Sequence, residues 1–297
     1  MSEGSIMRVI ETVAEMRPAR REFASPVGFV PTMGYLHAGH LSLAQAARAE
    51  CATVVASIFV NPTQFGPNED LSRYPRDLPH DLDLLASAGV DLVFAPSAVE
   101  MYPAGFATWV EPGGVLAERL EAASRPGHFR GVATVVGKLF GIVAPDAAYF
   151  GQKDAQQVAV IRRLIADLNL PVELRVLPTV RERDGLAMSS RNVYLDADDR
   201  AAANVLYRAL QAGKALIDAD PSVNAPRVLK EMLSVIATEP RVHLEYADVC
   251  DPDSFAPLEN MRAPALLAIS ARVGPARLID NFLQRPDGTW ETGLQAQ

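Results

Sequence analysis

The chain has 297 residues, 49% of them hydrophobic and 22% charged, with a formal net charge of −8. That length and apolar content suffice for a full core, and two domains of ordinary size are the better expectation. The acidic balance argues against a nucleic-acid partner, which leaves a basic footprint, while a local basic pocket still admits a small anionic substrate.

Cys51 and Cys250 lie far apart and in no ligand-spaced cluster, so two reduced core thiols in a cytoplasmic protein are expected. Met1-Ser2-Glu3-Gly4-Ser5 has neither a basic start nor an apolar stretch behind it, unlike a signal peptide. No run of about 18 apolar residues is present to span a membrane.

An apolar run at 27–31 predicts a strand, and a helix is predicted over 40–50. Between them stands Pro31-Thr32-Met33-Gly34-Tyr35-Leu36-His37-Ala38-Gly39-His40. Two imidazoles at a helix N-terminus suit an anion, because the free N–H groups and the helix dipole already favour one there. Plain helix capping by the histidines is the competing reading. A second strand at 53–60 runs into Asn61-Pro62-Thr63-Gln64-Phe65-Gly66-Pro67, whose amides suit a hydroxylated or carboxylated substrate; a bare Asn-Pro turn is the alternative.

A helix at 78–88 and a strand at 91–95 follow, then an irregular Pro- and Gly-containing stretch, 94–131, expected to form surface loops near a site. A helix at 132–143 and a strand at 147–150 lead to Gly151-Gln152-Lys153-Asp154-Ala155-Gln156-Gln157, again a strand-to-helix junction. Lys153 stands at the unfavourable end of a helix for a cation, an objection that a bound phosphate removes. Asp154 can accept from a ribose hydroxyl or cap the helix, and Gln157, one turn on, faces the same side. With a helix at 155–168 and a strand at 172–177, the alternation predicts an α/β protein. Residues 1–180 form a Rossmann-like, doubly wound parallel sheet with ligands at the carboxyl ends of its strands.

Beyond 180 the pattern changes. A polar loop, Arg181-Glu182-Arg183-Asp184-Gly185, leads to Met188-Ser189-Ser190-Arg191, two hydroxyls and a guanidinium that can clamp a phosphate. Helices are predicted at 196–218 and 225–238, and strands at 242–249 and 265–282, the latter broken by Val273-Gly274-Pro275. Residues 181–297 are therefore expected to form a smaller C-terminal α+β domain.

The stretch from Pro31 to Leu43 resembles the HxGH nucleotide-binding turn of the adenylyl-transferring superfamily. Phe59-Val60-Asn61-Pro62-Thr63-Gln64-Phe65, Tyr74-Pro75-Arg76, Gly127-His128-Phe129-x-Gly131-Val132, Phe150-Gly151-Gln152-Lys153-Asp154 and Met188-Ser189-Ser190-Arg191-Asn192 narrow the resemblance to the pantothenate synthetase (pantoate–β-alanine ligase) family. The resemblance implies a two-step ligation: pantoate attacks the α-phosphorus of ATP, and the amine of β-alanine then displaces AMP from pantoyl adenylate.

By the same resemblance, Met33, Gly34, Tyr35, Leu36, His37, Ala38, Gly39 and His40 line ATP, with His37 and His40 at the phosphoryl transition state and His40 as proton donor. Gly151 and Asp154 face the ribose beside Gln152. Lys153 and the Ser189, Ser190 and Arg191 clamp hold phosphates, Met188 joins the ATP-binding set, and Val180 meets adenine through its backbone. Gln64 and Gln157 orient pantoate, and Gln64 with Asn61 lies near β-alanine. Mg²⁺ is implied with ATP, with Asp81 as a weak candidate ligand, and a homodimer is implied. Tyr35 and Ala38 replace the family's commoner alanine and glutamate, and His80 stands where an acidic residue is frequent. A nucleotidyltransferase acting on a phosphate, a tRNA synthetase and a non-catalytic ATP sensor are the competing readings. The Gln64/Gln157 pair, the short acidic chain and the full histidine–lysine set weigh against them in turn.

Overall fold

The computed structural model describes residues 7–296; residues 1–5, read above for a targeting signal, lie outside the described residues. The apolar runs become one sheet. Its strands are β1 (Arg8–Ile10), β2 (Val27–Thr32), β3 (Thr53–Ile58), β4 (Leu92–Phe94), β5 (Ala147–Gly151) and β6 (Glu173–Leu177). They pair in the order β1-β4-β3-β2-β5-β6, every pair parallel. Val27, Phe29, Val30, Val54, Val55 and Ala56 are wholly buried, as strands covered on both faces require.

The helices accompanying the sheet are α1 (Val13–Arg20), α2 (Ala38–Glu50), α3 (Leu78–Ser87), the single turns α4 (Ala98–Met101) and α5 (Glu121–Ser124), α6 (His128–Val143) and α7 (Ala155–Asp167). The chain winds from β2 through β3 to β4 on one side and restarts at β5 on the other. The order therefore reverses between β2 and β5, and a sheet of this kind binds ligands in the crevice at such a reversal.

The remaining elements are β7 (Val180–Arg181), α8 (Ala197–Ala203), α9 (Val205–Ala219), α10 (Ala225–Ile236), β8 (Val242–Cys250), β9 (Ala265–Val273), β10 (Ala276–Gln284), β11 (Trp290–Glu291) and β12 (Leu294–Gln295). An antiparallel sheet, β11-β10-β9-β8, carries a core of Leu206, Leu210, Val228, Met232, Leu267, Ile269 and Phe282 with α9 and α10. β7 and β12 form a separate parallel pair.

Two compact units result, and they are not divided by one cut after residue 180. The first comprises the chain up to Gly113, Arg125–Gly151 and Val160–Leu177; the second comprises Gly114–Ser124, Gln152–Ala159 and the chain from Pro178 onward. Hydrogen bonds explain the early excursions. The buried Gln156 amide donates to Leu116 O and Arg119 O and accepts from Glu121 N, and Arg119 in turn reaches Asp248 and Phe255 O.

Some predicted helices differ in their bounds. The one expected at 196–218 is broken at Asn204, giving α8 and α9, and the one expected at 132 begins four residues earlier at His128. The strand predicted to reach Val60 ends at Ile58. Arg181, read as part of a polar loop, is only 2% exposed. It makes a bidentate pair with Asp280 at 2.7 and 2.8 Å and lies over the rings of Tyr207 and Phe282. Among the described residues, no helix is long and apolar enough to cross a membrane.

Candidate active site

The histidine turn follows β2 directly. Helix α2 starts at Ala38, two residues before the predicted start, because His37 is its N-cap. His37 Nδ1 accepts from Gly39 N at 3.1 Å, and His40 Nδ1 accepts from the His37 backbone N–H at 3.3 Å. The capping role and the chemical role are thus compatible. A neutral imidazole accepting at Nδ1 carries its proton on Nε2, so both rings become Nε2–H donors of fixed tautomer. Their centroids lie 4.1 Å apart.

Asp81 supports this turn. Its oxygens accept from Tyr35 N and Leu36 N, each at 2.7 Å, and the residue is 1% exposed. Gly34 and Tyr35 have φ of 82° and 50°, and a Cβ on Gly34 would lie 3.0 Å from Asp81 Oδ2. Left-handed backbone at a tyrosine is strained, and the two N–H bonds to Asp81 hold it. Burial raises the Asp81 carboxyl above the ordinary aspartate value, against the lowering effect of those bonds. A cavity of about 270 Å³ opens beside Met33, Gly34, Ile58, Arg76 and Asp81.

Asn61, also 1% exposed, is occupied by its neighbours. Its Oδ1 accepts from Thr63 N, Thr63 Oγ1 and Tyr102 Oη, and its Nδ2 donates to Gln64 Oε1 at 2.8 Å and to Gly131 O. The structure therefore gives Asn61 the task of orienting Gln64 rather than that of a side chain open to a substrate. With Oε1 committed, the Gln64 NH₂ group is the end available to a substrate oxygen. Gly131 of α6 closes this assembly: a Cβ there would lie 2.4 Å from Thr63 O.

His128, absent from the predicted site residues, completes the support beneath Gln64. Its Nδ1 lies 2.9 Å from Gln64 O and its Nε2 3.1 Å from Arg125 Nη1. A carbonyl only accepts and a guanidinium only donates, so the ring is neutral with its proton on Nδ1. Arg125 also pairs with Glu69; burial raises that carboxyl, but the Arg125 hydrogen bonds hold it below its ordinary value.

In the second unit, Gln152, Lys153 and Asp154 form a short 3₁₀ turn directly after Gly151, the last residue of β5. Gln152 Nε2 donates to Asn281 Oδ1, and Asn281 Nδ2 donates to Gln152 O and Lys153 O. Lys153 Nζ lies 3.8 Å from Asp154 Oδ1. Ser189 is an N-cap: its Oγ accepts from Arg191 N at the start of a 3₁₀ turn over Ser190–Tyr194. Asp196 caps the next helix. Gln157 is half-buried, and Val180 O accepts from Met188 N.

Among the described residues, no group of three or more His, Cys, Asp or Glu could hold a metal ion. Asp81, the sequence's candidate ligand, directs both oxygens at backbone N–H groups.

A family profile described as pantoate-beta-alanine ligase matches residues 7–283. The chain belongs to the pantoate–β-alanine ligase family. It is 58% identical over 277 residues to the pantothenate synthetase of Roseiflexus castenholzii, covering 93% of this chain and 99% of that one. It is 56% identical to that of Herpetosiphon aurantiacus, covering 93% and 100%. The crystal structure of the Thermus thermophilus enzyme matches with TM-score 0.89 at 51% identity, over 93% of this chain and 98% of that one. The Francisella tularensis pantoate–β-alanine ligase, crystallised with beta-gamma ATP and β-alanine, matches with TM-score 0.78 at 36% identity, over 94% and 98%.

Proposed function

We propose that this ligase joins pantoate to β-alanine through pantoyl adenylate, with ATP converted to AMP and pyrophosphate. The observation that carries the reading is the pair of Nε2–H imidazoles at the carboxyl end of β2, beside the strand-order reversal. Fixed donors of this kind stabilise negative charge that grows on the α-phosphate oxygens as pantoate attacks. His40 gives its Nε2–H as a hydrogen-bond donor in that step.

The rest is positioning and neutralisation, which phosphoryl transfer needs more than a covalent nucleophile. Residues 33–40 bind ATP. The Gln64 NH₂ group, held by Asn61, donates to a pantoate oxygen, and Gln157 assists. Lys153, Ser189, Ser190 and Arg191 bind phosphates, Gly151 and Asp154 the ribose beside Gln152, and Val180 and Met188 the adenosine end. Mg²⁺ enters with ATP as its complex, held by phosphates and water, a common arrangement for this ion. The reading includes a cytoplasmic homodimer acting on small molecules; the two buried free cysteines suit a reducing compartment.

Two half-reactions test the proposal. Pantoate with MgATP should release pyrophosphate, and AMP should appear only when β-alanine is added. Pantoate-independent pyrophosphate release, or ADP as product, would refute it.

A further inference from the structure

A second cavity of about 270 Å³ adjoins the Gln64 turn, lined by Thr63, Gln64, Phe65, Trp109, His128 and Arg130 among others. Its lining contains no carboxylate. Arg130 makes no hydrogen bond or ion pair among the described residues, and its buried Nε lacks a partner. The guanidinium carbon sits 4.3 Å from the centroid of the Trp109 ring, a contact that holds the cation in place without neutralising it. Gly127, the N-cap of α6 at φ 81°, provides no side-chain cap, and Gly127, His128, Arg130 and Gly131 all line this cavity. An unpaired guanidinium and the positive end of a 16-residue helix thus face one hollow.

We infer that Arg130 is the specificity-determining residue for the amine substrate, binding the carboxylate of β-alanine in the cavity beside Gln64. The inference rests on the ligase reading above. The choice between carboxylates follows from their fates. Pantoate's carboxylate loses its charge on adenylation, so a guanidinium against it would stabilise the ground state and oppose the step. The carboxylate of β-alanine keeps its charge throughout, and a fixed cation can hold it during attack.

The same cation aids the attack. A positive charge near the incoming ammonium favours its neutral form, the nucleophile. The nitrogen lone pair forms the C–N bond to the pantoyl carbonyl carbon while the C–O bond to AMP breaks. AMP leaves with that electron pair. The nitrogen releases one proton before attack and a second as the amide forms, both to solvent.

Arg130→Gln and Arg130→Lys test this in the full-length enzyme, with β-alanine and its carboxamide as competing amines. A charge-assisted contact of this kind corresponds to a rise in KM for β-alanine of about 10- to 100-fold in Arg130→Gln. Pantoate-dependent pyrophosphate exchange should stay near wild type, which keeps this test separate from the ligase reading. Arg130→Lys should recover part of the loss. Wild type should strongly prefer β-alanine to its carboxamide, and Arg130→Gln should not. An unchanged KM for β-alanine, an unchanged amine preference, or an equal fall of both half-reactions in Arg130→Gln and Arg130→Lys would overturn the inference.

Discussion

A histidine that caps a helix through Nδ1 has its other nitrogen's role decided by that bond. In His37 and His40 the local structure therefore selects the Nε2–H tautomer that the proposed phosphoryl transfer uses. Asp81 extends the logic one layer outward, since it holds the left-handed Tyr35 on which the placement of both imidazoles depends. Asp81→Asn replaces one acceptor by an NH₂ group facing a backbone N–H. It should lower kcat by about 100-fold through misplacement of the turn and lower stability to urea by about 1–3 kcal/mol. A variant with wild-type kcat would remove Asp81 from this role.

The pH dependence has a definite sign. Because burial raises the folded pKa, protonation of Asp81 favours the fold; that contribution is complete below the unfolded value and disappears as pH rises through the folded one. Activity runs the other way, since a protonated carboxyl has one acceptor fewer for two N–H groups. The acid limb of kcat in wild type should thus lie above the ordinary aspartate range and be absent in Asp81→Asn.

At the scale of elements, α6 shows why some boundaries are legible and others are not. Gly127 and Gly131 read as loop glycines, so the helix is predicted at 132. In the structure Gly127 is a left-handed N-cap, and Gly131 lies inside the helix where Thr63 O approaches. That approach couples residues almost seventy positions apart, which no local pattern encodes. Gly131→Ala should push α6 from the Gln64 turn, costing about 1–3 kcal/mol in thermal unfolding and raising the KM values for pantoate and β-alanine more than that for ATP. Unaltered stability and KM values would show that the close approach is dispensable.

Strands β2 to β6, by contrast, are legible to within a residue or two as apolar runs, whereas the three-residue β1, with Arg8 and Val9 exposed, carries no such run and is not predicted. Position 61 is legible only in part. The motif marks Asn61 as part of the site, but its work on Gln64 depends on partners contributed by Tyr102 and Gly131.

Over the whole molecule, a net charge of −8 is compatible with a reaction among anions, because the field within a site is set by the charges lining it. Arg181 shows that not every arginine near a motif belongs to the chemistry. It lies beside Val180 in sequence, yet its charge is matched by Asp280, 99 positions away. A charge within the apolar run of β10 is the available signal, since a buried carboxylate demands a partner. The pairing of β7 with the C-terminal β12 leaves none, as two-residue strands carry no periodicity.

The central claim is that a pantoate carboxylate oxygen attacks the α-phosphorus. Pantoate labelled with heavy oxygen in its carboxylate decides it by mass spectrometry of the products. Attack at the α-phosphorus predicts one labelled oxygen in AMP, one in the new amide, and none in pyrophosphate. Unlabelled AMP, or label in inorganic phosphate, would contradict it.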